Sequence, residues 1–433
     1  MVLGILLSVW VGCRLPRLVR QMRRSTHVRR ASWNHPGCMA LDDTRVVRPP
    51  DRLVTRSFVM LGLAELAYFT ADGVAVYALP VYVTGPLGSD AAGAGLAFGA
   101  FAIVALVCRP FVGRLADSRG RQPVMLAGAL LCAVGMALTP LAGTLAGVVA
   151  LRLLLGVAEA AFFVAAVAAL VDLAPRSRMG EAMSYNSLGL YLGLTVGPPL
   201  GELLVRTAGF AVAWSGAAVL AAVAGAIVLT IGETRPSAAP EPGEGHLIHW
   251  PSVPVGLVFL ASMVAMGGFL AFAALHADAV GLGNASLPLL VYGAMVVAVR
   301  VAFARLPDRL PPLVLGATAV LTMAAGLVIL AAWATPAGAL LGAAVMGLGI
   351  AFSTPALFAA IFTRAGAGER GAASATASAF VDLGIGGGPI VLGLVAQVAT
   401  IPGAFGVAAG IALLGGTWAL VLRARERGVA VAG

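Results

Sequence analysis

The sequence predicts an all-α integral membrane protein of twelve transmembrane helices, arranged as two parallel six-helix repeats. Three observations carry that prediction. Of 433 residues, 60% are hydrophobic and 11% charged, against about 25% charged in an ordinary soluble domain. Apolar stretches of spanning length recur along the chain. The chain also aligns with itself at one fixed offset. A soluble protein has too little interior to hide this much apolar surface, so the solvent must be largely lipid.

The spans read, in order, as 57–83, 92–112, 123–141, 144–171, 181–206 and 211–231, then 253–275, 286–305, 311–333, 337–363, 372–397 and 401–423. Each approaches the ~20 residues needed to cross a ~30 Å hydrocarbon layer. This gives a six-helix half over 57–231, a Pro- and Glu-rich linker over 232–252, a second half over 253–424 and a short tail over 425–433. The first 56 residues carry eleven arginines. Two readings of them stand: an interfacial Arg-rich anchor, or a disordered tail from an over-long gene model whose translation starts at Met39.

The net charge of +9 is carried by arginine alone. The arginines lie beside apolar spans, which points to membrane topology and away from nucleic acid. They cluster after span two (Arg109, Arg114, Arg119, Arg121), after span four (Arg176, Arg178), in the linker (Arg235), and at Arg300, Arg305, Arg309, Arg364, Arg370 and beyond Arg423. The opposite loops hold Arg206. The positive-inside rule then puts both termini and the linker in the cytoplasm of a cell whose inner membrane the chain crosses. The four cysteines show neither metal-ligand spacing nor a disulfide framework, so no metal or cofactor is expected.

A shift of 191 residues aligns Arg109, Arg114, Leu115 and Asp117 with Arg300, Arg305, Leu306 and Asp308, and Gly156 with Gly347. It also aligns Gly193, Gly197 and Pro198 with Gly384, Gly388 and Pro389. One gapless offset across separated segments makes the halves parallel repeats about an axis along the membrane normal.

Gly113-Arg-Leu-Ala-Asp117-Ser-Arg119-Gly120-Arg121, between spans two and three, resembles the signature loop of the major facilitator superfamily. Two glycines allow a tight loop in which Asp117 can pair with arginines or meet a helix N-terminus, a latch that holds one conformation. Gln122 stands where the family usually has a basic residue. The second copy around Asp308 has lost its glycines and predicts a weaker latch. In span five, Gly193-Leu-Thr-Val-Gly197-Pro198-Pro-Leu-Gly201-Glu202 resembles the family's drug–proton antiporter signature, with Glu202 replacing its final glycine. Glycine every four residues permits close helix approach, and Gly-Pro introduces a kink. Arg152-Leu-Leu-Leu-Gly156 is similar to the family's proton-coupling segment in span four, with Leu155 in place of glutamine. The resemblance covers residue 57 onward. It implies alternating access about a central cavity lined by spans one, four, seven and ten.

Charges within hydrocarbon are expensive and need a reason. Glu65 and Asp72 in span one, and Arg152 and Glu159 in span four, are each spaced i, i+7, which puts each pair on one helix face. Asp72 and Glu159 fall near the same depth. Their offset partners are Gly256, Met263, Ala343 and Ile350, so this ionisable set belongs to the first half. Two readings stand: carboxylates that take up and release a proton as their surroundings change, or a static Arg152–Glu159 pair pinning the helices. Opposite them the second half offers an apolar wall that includes Met263, Met266, Phe269, Phe272, Phe352 and Phe358. Asp382 is its one deep acid, either a ligand for a cation or proton or a cap on its glycine-rich segment. Asn186 and Tyr191 either face the cavity or make structural hydrogen bonds.

The expectation is a proton-coupled secondary transporter, a monomer whose partners are a small-molecule substrate, protons and membrane lipid. Export of a small amphipathic or cationic compound leads. A metabolite symporter and a non-transporting sensor of the same fold are the alternatives. The sequence holds no P-loop, metal cluster or nucleophile constellation that would point to an enzyme or an ATP-driven pump.

Overall fold

The structure, a computed structural model, describes residues 53–175, 178–235, 248–303, 306, 309–366 and 369–432. Asp308 and the tail over 1–52 lie outside these described residues, and so does most of the linker. Within them the chain forms twelve α-helices and no strand. The first half comprises α1 (Arg56–Thr84), α2 (Ala91–Arg119), α3 (Arg121–Leu138), α4 (Leu145–Leu173), α5 (Met179–Ala208) and α6 (Phe210–Val228). The second comprises α7 (Val253–Ala279), α8 (Leu287–Ala302), α9 (Pro312–Ala332), α10 (Pro336–Phe362), α11 (Arg370–Val398) and α12 (Ile401–Ala432). Eleven are long and apolar enough to cross a membrane, and α8, at 16 residues, is shorter. The last helix continues to Ala432, past the expected end at 424.

Each half repeats one packing scheme. In the first, α1 packs on α5 and α6, α3 on α4 and α6, and α2 on α4. The second repeats it with α7 on α11 and α12, α9 on α10 and α12, and α8 on α10. Across the halves, α2 meets α11 and α5 meets α8, two contacts that exchange under the 191-residue shift.

Lipid gives no hydrophobic drive for one helix to leave it for another, so close backbone approach must supply the attraction. Glycine makes that approach possible. A Cβ on Gly197 would sit 2.6 Å from both Gly73 Cα and the Thr70 carbonyl, so α1 and α5 touch backbone to backbone. The α2–α11 contact across the halves is built alike, with Gly99 against the Gly386 carbonyl and Gly95 against that of Pro389. The helix α5 runs continuously through Pro198 and Pro199.

The Arg-poor end is tied shut between the halves. Glu202, 7% exposed, accepts hydrogen bonds from the backbone N–H of Ala285 (2.9 Å) and Ser286 (2.9 Å) and from the Ser286 hydroxyl (2.6 Å). A carboxylate from α5 thus satisfies the N-terminus of α8. Arg206 donates to the Gly283 carbonyl (2.8 Å) and to Asn284 Oδ1 (3.1 Å). Gln397, 191 residues on from Arg206, donates to Asp90 at 2.5 Å, at the start of α2. The departure at Glu202 from the antiporter signature therefore has a structural use.

Gly197→Ala is expected to destabilise the protein by about 1–3 kcal/mol, the usual cost of overpacking. Gly62, whose Cβ would meet nothing within 4 Å, serves as the control. Gly62→Ala should be neutral or stabilising by up to about 1 kcal/mol. Thermal unfolding of both variants in detergent checks this, and a Gly197→Ala protein as stable as the parent would contradict the backbone contact.

Candidate functional site

The halves enclose a cavity of about 250 Å³. Asp72, Phe69 and Val76 reach it from α1, Arg109, Phe98 and Phe101 from α2, and Arg152, Glu159 and Phe163 from α4. Met263 and Met266 line it from α7, Phe358 from α10 and Asp382 from α11. Tyr191 of α5 and Tyr292 of α8 complete the wall. The lining thus comes from α2, α5, α8 and α11 as well as from the expected α1, α4, α7 and α10. Five aromatic rings from the first half share the lining with Met263, Met266, Tyr292 and Phe358 of the second, which suits a flat or flexible apolar body.

The i, i+7 spacing in span four delivers both Arg152 and Glu159 to the cavity, as expected. They do not pair with each other. Arg152, 4% exposed, donates from Nε to the Ala97 carbonyl (3.2 Å) and lies over the Phe101 ring at 4.5 Å. Arg152 and Asp72 both line the cavity. Glu159 instead meets Arg109 at 3.4 Å. Asp72 has no hydrogen-bond or ion-pair partner among the described residues. Asn186 and Glu65 stand apart from the cavity and pair with each other: Asn186 donates to the buried Glu65 carboxylate at 2.7 Å, joining α5 to α1.

Three expected wall residues lie elsewhere. Phe269 is fully buried against Tyr292, behind the lining. Phe272 is likewise fully buried and off the lining. Phe352 packs edge-on to Phe303. All three sit on the expected helices, with their faces turned away from the cavity.

Arg109 and Arg300 do more than mark topology, since each reaches a side chain of the other half. Arg109 lies within α2, which runs on to Arg119, and grips Asp382 of the other half with two contacts, Nε–Oδ2 at 2.6 Å and Nη2–Oδ1 at 2.9 Å. Asp382 is therefore held by an arginine, not used as a helix cap. Arg300 stacks over the Tyr191 ring at 4.2 Å and donates to its hydroxyl at 3.1 Å. The available signal was the position of Arg109 inside the 92–112 apolar span.

The signature segment forms a clasp within the first half. Gly113 and Asp117 belong to α2, not to a loop, and a Cβ on Gly113 has room. The break comes at Gly120, whose φ of 109° favours glycine. Arg121 starts α3, 7% exposed, and holds Asp117 at 2.5 Å and Asp172 at 3.2 Å. Arg119 is exposed. Gln122 donates to the last carbonyls of α6, at Val228 and Leu229 (3.2 Å each), a task its amide performs where a basic residue was expected. Glu233, from the linker, accepts from the backbone N–H of Arg121 (2.9 Å), Gln122 (3.3 Å), Thr234 (3.0 Å) and Arg235 (2.9 Å). It therefore caps α3. Arg235 donates to the carbonyls of Asp117 (3.2 Å) and Ser118, closing the clasp from the linker side.

Partial burial acts to raise the Glu233 carboxyl, but the four N–H donors outweigh it and hold the group below the usual carboxylate range. A depressed folded value gives stability that is present above the ordinary 4.5 and lost as pH falls through the lower folded value. Amide protection at Arg121 and Gln122, corrected for intrinsic exchange, should hold at neutral pH and fall on acidification below that range. Glu233→Gln should lower this protection at neutral pH and flatten its pH dependence. Unchanged protection in the variant would contradict the cap.

The chain matches the family model for the Major Facilitator Superfamily over residues 61–389. It is 29% identical over 373 residues to an MFS-type transporter of Salmonella typhimurium, covering 81% of this chain and 92% of that one. A relative from Burkholderia pseudomallei, also an MFS-type transporter, is 28% identical over 409 residues, covering 90% and 98%. Among solved structures, the human organic anion transporter TETRAN superposes with a TM-score of 0.68 at 19% identity, covering 86% of this chain and all of that one. A variant of the nucleoside transporter NupG gives 0.68 at 14% identity, covering 84% and 99%. At these identities the two structures speak to fold alone.

Proposed function

The chain belongs to the Major Facilitator Superfamily and is a membrane transporter of that type; from that premise we propose that it is a proton-coupled exporter of small amphipathic or cationic organic compounds. The two halves rock about the central cavity, which opens alternately to either face of the inner membrane. The termini and the linker lie on the cytoplasmic side, where the arginines gather.

One observation carries the reading. Asp72 faces the cavity without a hydrogen-bond or ion-pair partner among the described residues, while Arg152, also of the first half, lines the same cavity buried. A lone carboxylate in a water-poor cavity is a place where a proton is taken up and released as a substrate enters and leaves, and that linkage is the basis of exchange. Glu159 shares the cavity and is already engaged by Arg109, so it serves the proton less directly. Glu65, bonded to Asn186, holds α1 to α5. The clasp around Asp117 and Arg121 rigidifies the first half so that it moves as a body, and the Glu202 tie is the contact that yields when the Arg-poor end opens.

A metabolite symporter is the second reading. Arg152 Nη1 is buried without a hydrogen-bond partner, and an anionic substrate could satisfy it.

Everted vesicles carrying an inward acid gradient distinguish these readings. Exporter substrates should collapse the gradient, and Asp72→Asn should lower that response by about tenfold or more while yield and thermal stability stay near the parent's. Unimpaired coupling in Asp72→Asn would sink the assignment. Uptake of an anion that needs Arg152 would establish the symporter.

A further inference from the structure

The 191-residue offset relates more than the helices. It carries Arg109 to Arg300, Tyr191 to Asp382 and Ser187 to Ser378. The structure places the two arginines and residues 191 and 382 in equivalent contacts, while Ser187 meets Arg300 and Ser378 lines the cavity. Arg109 of α2 reaches residue 382 on α11, and Arg300 of α8 reaches residue 191 on α5. The cavity is thus spanned by two symmetry-related ties between the halves, each made by an arginine.

The chemistry of the two ties differs. The Arg300 tie is a ring stack with neutral hydroxyls, Tyr191 at 3.1 Å and Ser187 at 3.4 Å. It presents no anion to a ligand. The Arg109 tie is ionic and shared between two carboxylates, Asp382 on the opposite half and Glu159 on its own. The offset partner of Glu159 is Ile350, fully buried, so at that position Arg300 is offered no carboxylate to turn to.

Two further features bear on a ligand. With both carboxylates ionised, one arginine between them leaves a single negative charge, which one monovalent cation neutralises. The 3.4 Å contact to Glu159 is the longer of the two carboxylate contacts, and Glu159 Oε2 is buried without a hydrogen-bond partner. Arg109 can therefore strengthen its hold on Glu159 by a small side-chain movement while Asp382 becomes free toward the cavity.

We propose that Asp382 is the subsite for the charged end of a monovalent organic cation, and that Arg109 is the positioning residue that yields it by turning to Glu159. Binding then severs the ionic tie between the halves while the Arg300–Tyr191 tie persists as a pivot. Occupancy of the cavity is in this way linked to release of one seam. The inference deepens the exporter reading and rests on it for the class of compound. Its test uses binding at equilibrium without a proton gradient, so it stands or falls separately from coupling at Asp72.

The probes are radiolabelled benzyltrimethylammonium and its uncharged isostere, 2,2-dimethylpropylbenzene, with the full chain in lipid nanodiscs. The parent should bind the cation more tightly than the isostere. Asp382→Asn should weaken cation binding by about tenfold or more and leave the isostere within about twofold, whereas Arg109→Gln should tighten cation binding by about tenfold. Asp382→Glu should retain the preference. Because the two disruptive substitutions break the same contact, a merely structural pair would move both in the same direction. Loss of affinity in both variants overturns the proposal. So does a preference that survives in Asp382→Asn, or a parent with no preference for the cation. Should Asp382→Asn fail to fold, the sign of the Arg109→Gln change decides alone.

Discussion

An ionisable side chain in a hydrocarbon layer must find a partner, reach water or lose its charge, and most of this protein's internal order follows from that requirement. Each deep charge answers it differently. Glu65 takes the amide of Asn186 from the neighbouring helix. Glu202 takes the N-terminal amides of a helix from the other half. Arg109 takes two carboxylates, one from each half. Arg152 settles on a carbonyl and the face of a phenyl ring. Asp72 is left to the cavity, so the requirement that organises the interior also singles out the group free to exchange partners.

These polar contacts divide into those that stiffen and those that join. Glu65–Asn186 and the Gly120 clasp lie within the first half, where α1 and α5 already meet backbone to backbone. They add rigidity to a body that has little room to deform. The contacts of Glu202, Arg206, Gln397, Arg109 and Arg300 all cross between the halves. Rocking of one half on the other must break some of them, and each is polar and replaceable by water or ligand. Glycine contacts also cross at α2–α11, where smooth backbone surfaces give close approach without interlocking side chains. The seam is thereby able to slide where the intra-half packing is not.

Much of the architecture was legible in the sequence because lipid imposes a strong pattern. Composition alone places the chain in a membrane, span length alone separates twelve helices, and a single offset reveals the repeat. The i, i+7 rule holds in span four, where Arg152 and Glu159 reach one space, but not in span one, where Asp72 lines the cavity and Glu65 bonds Asn186 away from it. It goes astray where an element's true end matters. Reading Arg109 as a charge after span two hid an arginine that lies well inside a 29-residue helix. Phe269 and Phe352 show the complementary failure, since apolar residues on a cavity-lining helix have no charge to betray which way they face.

The sequence by itself determined the solvent, the number and order of helices and the repeat, and singled out Glu65, Asp72, Arg152, Glu159 and Asp382 as charges within spans, because each follows from local composition or from comparing the chain with itself. Only the tertiary structure decided which of those groups meet. Arg109 and Asp382 are 273 residues apart, and no spacing rule links them. Their contact depends on how far each helix is rotated, and glycine seams elsewhere on those helices set that rotation. The offset made residues 191 and 382 equivalent, but packing was needed to show that each receives an arginine from the other half.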